Sequence, residues 1–536
     1  MSHPLLTRPA LTLYSLAALV AIPYLLPASL PYSARLRLLQ PRVDSAPPPP
    51  ATLAPVEVGE ATIGATDDQS STPAEPTVAG GKQGLPFAKP TAPIDPRPLL
   101  DGPPPRPIED ASTTALDAFY ASLDRVERKE DGAIARITYY GDSVIASDWI
   151  TATLRRKLQA RFGDAGHGFI LIADAWAGYH HDNIARFASK GWKVSRVVGP
   201  YAPDGLYGLG GVSFTADGPG MFATVGTAKE GDFGRAVSRF VVTYAEQPNG
   251  GKLSLTLDGG EPRVLSTAAE ATTVKTIEID APDGAHKLEI RSNGGGPVRV
   301  FHVVLERAGP GVVVDAVGII GCRLRFLDKI DDAHWKDELA RRDPSLIAFT
   351  YGANESGDAF AYPMDKYEET ARAVLTQAKN ALPKASCLLV GPMDAADKKG
   401  DSLVSRPVIP AINEIQRKLA KELGCGFFDT WSAMGGYGSM GVWIQRGLGG
   451  ADLVHPTSVG AEVIGGWVHK ALMEGYVAWK ARPRLGAGSL RRARAEGRAR
   501  RRQSADHRLP LRVRSKWRIS PLFTIKSWRI CRVFDG

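Results

Sequence analysis

The spacing of apolar positions along the 536-residue chain changes period several times, and each change marks a boundary. From residue 111, Leu116, Phe119, Tyr120, Leu123 and Val126 recur at helical intervals. A short apolar run over 134–140 then reads as a buried strand and ends in Gly141-Asp142-Ser143. Ile150, Leu154, Leu158 and Phe162 follow at intervals of four and predict a second helix with one apolar face. Strand, tight turn and helix in this order open an α/β unit.

Between about 190 and 310 the pattern becomes short and alternating. Strands are predicted at 240–244, at 253–257 ahead of Asp258-Gly259-Gly260, at 287–290 and at 298–305, with Gly-rich turns and no helix of ordinary length. Such a stretch predicts an antiparallel β-sandwich. It is an insertion, because the α/β pattern resumes after it. A strand over 312–320 ends near Gly321, and a second over 346–351 ends in Gly352-Ala353-Asn354-Glu355. A helix carries Tyr367, Ala371, Val374, Leu375 and Ala378. Then come a strand at 387–390, a helix over 408–423, Gly426-Phe427-Phe428 leading to Asp429, and a last helix over 457–473. Alternating strands and helices predict a parallel sheet covered on both faces, with functional loops at the carboxyl ends of its strands.

The flanks differ from this folded part. An apolar stretch over 11–30 lies between Arg8 and the pair Arg35 and Arg37. Its length is close to the ~20 residues of a spanning helix. No A-x-A cleavage site follows it, so residues 1–40 are read as a signal anchor in preference to a cleaved signal peptide, and the chain as exported. Residues 41–107 hold 17 of the 40 prolines and few large apolar side chains, which predicts a disordered tether. The tail, 481–536, carries 17 basic and three acidic residues, so the rest of the chain has a net charge of −5 against +9 for the whole. The basic balance therefore gives no reason to expect nucleic-acid binding by the folded part, and the tail is assigned no function. The divisions that result are 108–190 and 308–480 for the α/β domain and 191–307 for the insert. Apolar residues at 43% and charged residues at 23% exclude a polytopic membrane protein and a wholly disordered chain. Four cysteines are too few and too scattered for a disulfide scaffold or a CxxC zinc site.

Candidate chemistry falls at strand ends. Ser143 stands between the first strand and its helix. A serine hydroxyl needs an imidazole to take its proton, and the imidazole needs a carboxylate to fix its tautomer. Asp452-Leu453-Val454-His455-Pro456, just before the last helix, offers both groups from one loop. Asp331-Asp332-Ala333-His334 repeats the spacing, but its setting predicts a solvated helical face. Acyl transfer also needs donors aimed at the developing oxyanion. The backbone N–H groups of Ser143 and Gly321 and the side-chain amide of Asn354 are the candidates, with Gly318 competing with Gly321.

The order Gly-Asp-Ser, Gly, Gly-x-Asn-Glu, Asp-x-x-His-Pro resembles the SGNH (GDSL-type) hydrolases over about 111–190 and 308–475. The resemblance implies a flavodoxin-like three-layer α/β/α fold interrupted by a jelly-roll-like all-β domain. It implies Ser143 as nucleophile, His455 and Asp452 as its partners, and Ser143, Gly321 and Asn354 as the oxyanion hole. Glu355 departs from the more usual Gly-x-Asn-Asp. The placement of the β insert, and the stretch Met434-Gly435-Gly436-Tyr437-Gly438-Ser439-Met440 with Trp443, resemble the peptidoglycan O-acetylesterases of that superfamily, which carry a carbohydrate-binding-like insert. The implied reaction is removal of acetyl groups from an acetylated cell-wall or extracellular polysaccharide in the periplasm or cell envelope, with no cofactor and no metal. A polysaccharide O-acyltransferase with the same triad, or a tethered glycan-binding protein without activity, are the alternatives. Trp176, His180 and Trp443 are expected near the substrate. His180-His181-Asp182 lacks a third ligand at metal-binding spacing. Trp192, Tyr201, Tyr207 and Tyr244 are expected mostly in the sandwich core, with sugar stacking as the other reading.

Overall fold

The computed structural model describes residues 97–483 and the two-residue strand Leu85–Pro86. The expected anchor, the greater part of the tether and the basic tail lie outside the described residues. Among the described residues no helix is long and apolar enough to cross a membrane.

The centre is a five-stranded parallel sheet. Its strands in chain order are β1 (Ile134–Gly141), β2 (Gly311–Gly318), β3 (Leu346–Thr350), β4 (Ser386–Val390) and β5 (Gly426–Phe428). They lie side by side as β2-β1-β3-β4-β5. This is the flavodoxin-like order, with its switch point at β1. β3, β4 and β5 are buried along their whole length, as strands covered on both faces must be. Alternate residues go to opposite faces. Ile137, Tyr139, Leu346, Ala348, Leu388 and Phe428 pack beneath the helices Asp117–Glu127, Trp149–Phe162 and Ser458–Ala481. Tyr140, Ile347, Phe349, Leu389 and Phe427 pack beneath Asp332–Arg342, Met364–Ala381 and Ile409–Leu423.

The inserted all-β domain is a sandwich of two antiparallel sheets. One has the strand order Arg263–Ser266, Lys252–Leu257, Lys287–Asn293, Pro219–Thr227, Ile184–Ala188. The other has the order Thr273–Gly284, Val237–Glu246, Val298–Glu306, Val212–Ala216, Lys193–Arg196, with Gly168–Ile170 added alongside Val298–Glu306. Strand pairing thus reaches back to Ile184 and to Gly168, before the boundary read from the sequence at 191. The reason is that Gly168–Ile170 pairs through Val303↔Ile170 and Val304↔Phe169, so the passage between the two parts is itself a strand. The sandwich core, including Phe214, Phe240, Ile290 and Val300, is continuous with the Tyr140 and Phe349 face of the parallel sheet.

Several local readings change. β2 stops at Gly318, short of Gly321. The last helix runs on to Ala481, because Tyr476 and Trp479 continue its apolar contacts with Tyr120. Residues 97–107 belong to the folded part and not to a free tether. Arg97–Asp101 is helical, and the Trp467 indole donates to the Leu99 carbonyl at 3.1 Å. His334 is buried, not solvated. It sits in the helix Asp332–Arg342, and its Nε2 accepts the Gly208 N–H from the insert at 2.8 Å. The sequence had no way to show that the insert covers that face. Cys387 in β4 and Cys425 just before β5 form a disulfide, whereas Cys322 is free and buried.

A buried charge network joins insert to sheet. Arg342 donates through Nε and Nη2 to Asp315 of β2 at 2.7 and 2.9 Å, and through Nη1 to Glu306 of the last insert strand. Arg136 of β1 holds Glu306 from the other side at 2.8 and 3.0 Å. Burial alone would raise the Glu306 carboxyl, but the two guanidinium groups bring it down to about 2. Asp315 also accepts from Thr138 Oγ1 and from the Phe169 N–H, so its oxygens are fully engaged. Removing the cation would strand the buried Asp315 and leave Glu306 only Arg136, so Arg342→Ala is expected to cost about 3–5 kcal/mol. The check is the denaturant midpoint at neutral pH; a loss below about 1 kcal/mol, the worth of an exposed pair, would mean that water reaches the network.

Candidate active site

The three strand ends at the switch point are in register. Gly141 lies opposite Gly318 on one side and Thr350 on the other. The Ile319 N–H donates to the Gly141 carbonyl at 3.0 Å, and the Asp142 N–H donates to the Thr350 carbonyl at 3.2 Å. The loops after β1, β2 and β3 therefore leave the sheet tied together. Gly318 permits this approach, since a Cβ there would lie 2.1 Å from the Ala146 nitrogen.

Ser143 opens the short helix Ser143–Ala146, whose first turn is capped by the Asp142 carboxylate accepting the Val144 N–H at 3.1 Å. Its Oγ lies 2.6 Å from His455 Nε2, and His455 Nδ1 lies 2.7 Å from Asp452 Oδ2. An ionised carboxylate only accepts, so Nδ1 carries the proton and Nε2 accepts from the serine hydroxyl. Burial would raise Asp452, but the N–H groups of His455 and Val454, at 2.9 and 3.0 Å from Oδ1, and the His455 ring keep its carboxyl below the usual value. The dyad is half exposed, at 55% for the Asp452 side chain and 38% for His455, so substrate can reach it.

The Asp452–His455 loop is held on three sides. Gly450 donates to the His455 carbonyl at 2.7 Å, and Thr457 caps the last helix through the Gly460 N–H at 3.1 Å. Ala396, at the start of the hairpin Ala396–Lys399/Ser402–Ser405, donates to the Leu453 carbonyl at 2.9 Å. Leu453 has φ +69°, a left-handed conformation that costs a leucine roughly 1–2 kcal/mol and persists only where neighbours impose it.

Gly321 occupies the turn closed by the Cys322 N–H bonding to Ile319 O at 3.1 Å, with φ +76° and open space where a Cβ would stand. Gly318 is closed in by the serine helix, whereas the turn at Gly321 is open. Asn354, in the helix Ala353–Asp358, donates Nδ2 to the Cys322 carbonyl at 3.0 Å, which brings the β3 loop against the Gly321 turn and leaves the second N–H of the amide for another acceptor.

The substrate candidates fare differently. Trp443 is a core residue, 4% exposed and packed edge-on to Trp467, so it does not line a site. Trp176 is half-buried against Tyr179. His180 is exposed and bonded to Asp182 at 3.1 Å. In the sandwich, Tyr207 and Tyr244 are core, Trp192 packs against the core, and Tyr201 is exposed beside Lys329. Among the described residues no group of three or more His, Cys, Asp or Glu side chains is arranged to hold a metal.

Two features escaped the sequence. Four segments that follow strands of the sheet each carry an exposed large side chain: Trp149 after β1, Ile320 after β2, Phe360 after β3 and Tyr437 after β5. Large apolar residues after four of the five strands could be read in the sequence, but their exposure could not. The second is Asp148, five residues past Ser143. It accepts from Arg155 Nη2 at 2.6 Å and from the Asp182 N–H at 2.8 Å, and so pins the 171–183 loop beside the serine helix. His181 lies 3.4 Å from the same carboxylate, and His167 Nε2 lies 2.7 Å from the Asp182 carbonyl.

Comparison with known proteins agrees with this arrangement at the level of fold. Residues 283–463 match the GDSL-like Lipase/Acylhydrolase family, a span that includes Gly321, Asn354, Asp452 and His455 but not Ser143. No curated protein matches the chain. Among solved structures, one described as a peptidoglycan O-acetylesterase in action is 24% identical, with a TM-score of 0.58, covering 69% of this chain and 99% of its own. A family two carbohydrate esterase from Cellvibrio japonicus is 14% identical over 55% of this chain and 98% of its own, with a TM-score of 0.22. An acetylxylan esterase from Geobacillus stearothermophilus is 20% identical over 31% of this chain and 73% of its own, with a TM-score of 0.23.

Burial, with Arg155 nearby, holds His167 and His181 well below the ordinary histidine value, and burial likewise brings His302 down to about 3. The unfolded chain binds protons at these sites below about pH 6.5 while the folded chain does not, so stability falls as the pH drops through that value. The expected slope is on the order of 1.4 kcal/mol per pH unit for each such histidine. Urea midpoints between about pH 7 and pH 5 check this, and His181→Gln is expected to flatten the decline.

Proposed function

We propose that this chain, which carries a GDSL-like lipase/acylhydrolase domain, is an exported serine esterase that removes O-acetyl groups from a cell-wall or extracellular polysaccharide, peptidoglycan first among them. The observation that carries the reading is the unbroken chain from Ser143 Oγ through the His455 ring to Asp452, at 2.6 and 2.7 Å.

In this reading His455 Nε2 takes the Ser143 proton as Oγ attacks the acetyl carbonyl, and Asp452 stabilises the imidazolium that forms. The N–H groups of Ser143 and Gly321 and the free N–H of the Asn354 amide receive the oxyanion, where a single donor is worth about 3–4 kcal/mol. His455 then protonates the departing sugar oxygen, and water, deprotonated by the same ring, releases acetate from the acetyl-serine.

The exposed Trp149, Phe360 and Tyr437, on segments that follow strands of the sheet, support a sugar polymer as substrate, because flat exposed rings suit the apolar faces of sugars. The inserted sandwich is proposed to bind glycan, with Phe187 and Tyr201 as exposed aromatics. The Cys387–Cys425 disulfide supports an oxidising compartment, as does the apolar stretch at 11–30, proposed as the anchor that keeps the enzyme in the envelope.

Ser143→Ala is expected to abolish 4-nitrophenyl acetate hydrolysis and labelling by a fluorophosphonate, whereas Asp452→Asn is expected to lower kcat by about 10⁴-fold through the wrong imidazole tautomer. Turnover unchanged in Ser143→Ala would end the assignment. Acetate release from a panel of acetylated glycans, peptidoglycan included, identifies the substrate, and acetyl transfer to added glycan in place of acetate release would make the protein a transferase.

A further inference from the structure

The helix Ala353–Asp358, which carries Asn354, has little of its own to hold it in place. Its six residues make fewer than two turns, too few to be stable unaided. Gly352 ahead of it supplies no side-chain cap. Ala359 behind it sits at φ +48°, a left-handed conformation that an alanine keeps only where its surroundings impose it. What fixes the helix is its outward polar bonds, and three of them go to three consecutive residues of the loop after β2, just past Gly321. Asn354 Nδ2 donates to the Cys322 carbonyl at 3.0 Å. Asp358 takes the Arg323 guanidinium in a two-pronged ion pair, with Nε donating to Oδ2 at 2.6 Å and Nη2 to Oδ1. Glu355 Oε1 accepts the Leu324 N–H at 2.8 Å.

We propose that Arg323 is a positioning residue: its ion pair with Asp358 fixes the far end of the Asn354 helix against the Gly321 loop, and so fixes where the second N–H of the Asn354 amide points. The inference rests on the reading of Asn354 as an oxyanion donor given above. Asn354 and Asp358 stand four residues apart and therefore share one face of the helix. With the Cys322 contact alone, the helix could pivot about Asn354. A second anchor on the same face, one turn further on, removes that freedom. An oxyanion donor acts only when its N–H is held ready at hydrogen-bond distance, so a small rotation of the helix is enough to lose it.

The surroundings leave this task to Arg323. Its planar fork matches a carboxylate in one orientation, which a point charge does not. The bonds of Cys322 and Leu324 use main-chain atoms and hold only the near end of the helix. Arg325 Nη2 lies 3.7 Å from Asp358, but its guanidinium is stacked over the Tyr362 ring at 4.1 Å, so it adds only a long contact. Ser356, two residues past Asn354 and so on the other side of the helix, accepts from Arg406 Nη1 at 3.0 Å; that bond does not fix the face turned to the β2 loop. The Arg323 hydrogen bond is the first cause that holds the Asp358 carboxyl below its usual value, and the same bond raises the Arg323 guanidinium, so the pair stays charged at neutral pH.

The test is a set of double-mutant cycles on the full chain with 4-nitrophenyl acetate, a small neutral ester that offers Arg323 no charge to hold. Arg323→Ala is expected to lower kcat by roughly ten- to a hundredfold with KM little changed. Introduced into Asn354→Ala, the same substitution is expected to cost less than about twofold, because the donor it positions is already gone. Asp358→Ala should match Arg323→Ala, with no further loss in the double variant. Arg323→Lys, which keeps the charge without the fork, should fall between. The acid limb of kcat, set by His455, should stay in place throughout. Amide hydrogen exchange gives a readout free of turnover: the Leu324 N–H should exchange faster in Arg323→Ala. An equal loss in both backgrounds, a raised KM with kcat unchanged, or Leu324 exchange as slow as in the wild type overturns the proposal. Where Arg323→Ala does not fold, Arg323→Lys and Asp358→Asn carry the same cycles. A wild type without esterase activity or Ser143 labelling would instead overturn the functional reading, and the exchange rates would still decide whether Arg323 holds the helix to the loop.

Discussion

A serine hydroxyl becomes a nucleophile only when a base lies within hydrogen-bond reach, and here that contact joins residues 312 positions apart. The rest of the architecture can be understood as what keeps this one bond at 2.6 Å. β1 places Ser143 at the switch point of the sheet, and the last helix begins just beyond His455. Both packing partners of that geometry, Trp149–Phe162 and Ser458–Ala481, share one core. The loop bearing Asp452 and His455 holds a leucine in a left-handed conformation, so its shape is imposed by its surroundings and not by its own preference.

The inserted sandwich is part of this support. Its core is continuous with one face of the parallel sheet. Its last strand delivers Glu306 to a network with Arg136, Asp315 and Arg342, groups of β1, β2 and the helix before β3. β1 and β2 lead at their carboxyl ends to Ser143 and Gly321, and the helix that carries Arg342 leads into β3, which Asn354 follows. The insertion therefore enters the chain between nucleophile and oxyanion loop without separating them, because the two strands it interrupts pair with each other along eight residues.

The polar groups behind the site show a second constraint. Burial raises the cost of charge, and around Ser143 most acidic groups meet it by pairing with backbone N–H or arginine: Asp148 with Arg155, Asp452 with two amides and His455. Asp142, Glu355 and Asp394 are buried with one oxygen each left without a hydrogen-bond partner, and burial raises all three carboxyls.

Much was legible in the sequence. Helical periods at Leu116–Val126 and Ile150–Phe162, continuous apolar runs for β1 to β5 and alternation in the insert gave the fold class, because the period of burial is written into each element separately. Ser143, Asp452, His455, Gly321 and Asn354 stood out because turn chemistry at strand ends is local. What depended on a distant surface was not legible: His334 buried under the insert, Trp443 turned into the core against Trp467, Cys387 joined to Cys425 across two strands, and Gly168–Ile170 recruited by the sandwich. The chain by itself determined which residue types stand at each strand end. Only the tertiary structure decided which of them meet, because a hydrogen bond is decided within a few tenths of an ångström and the loops that form these bonds come together only when the whole sheet has closed its register.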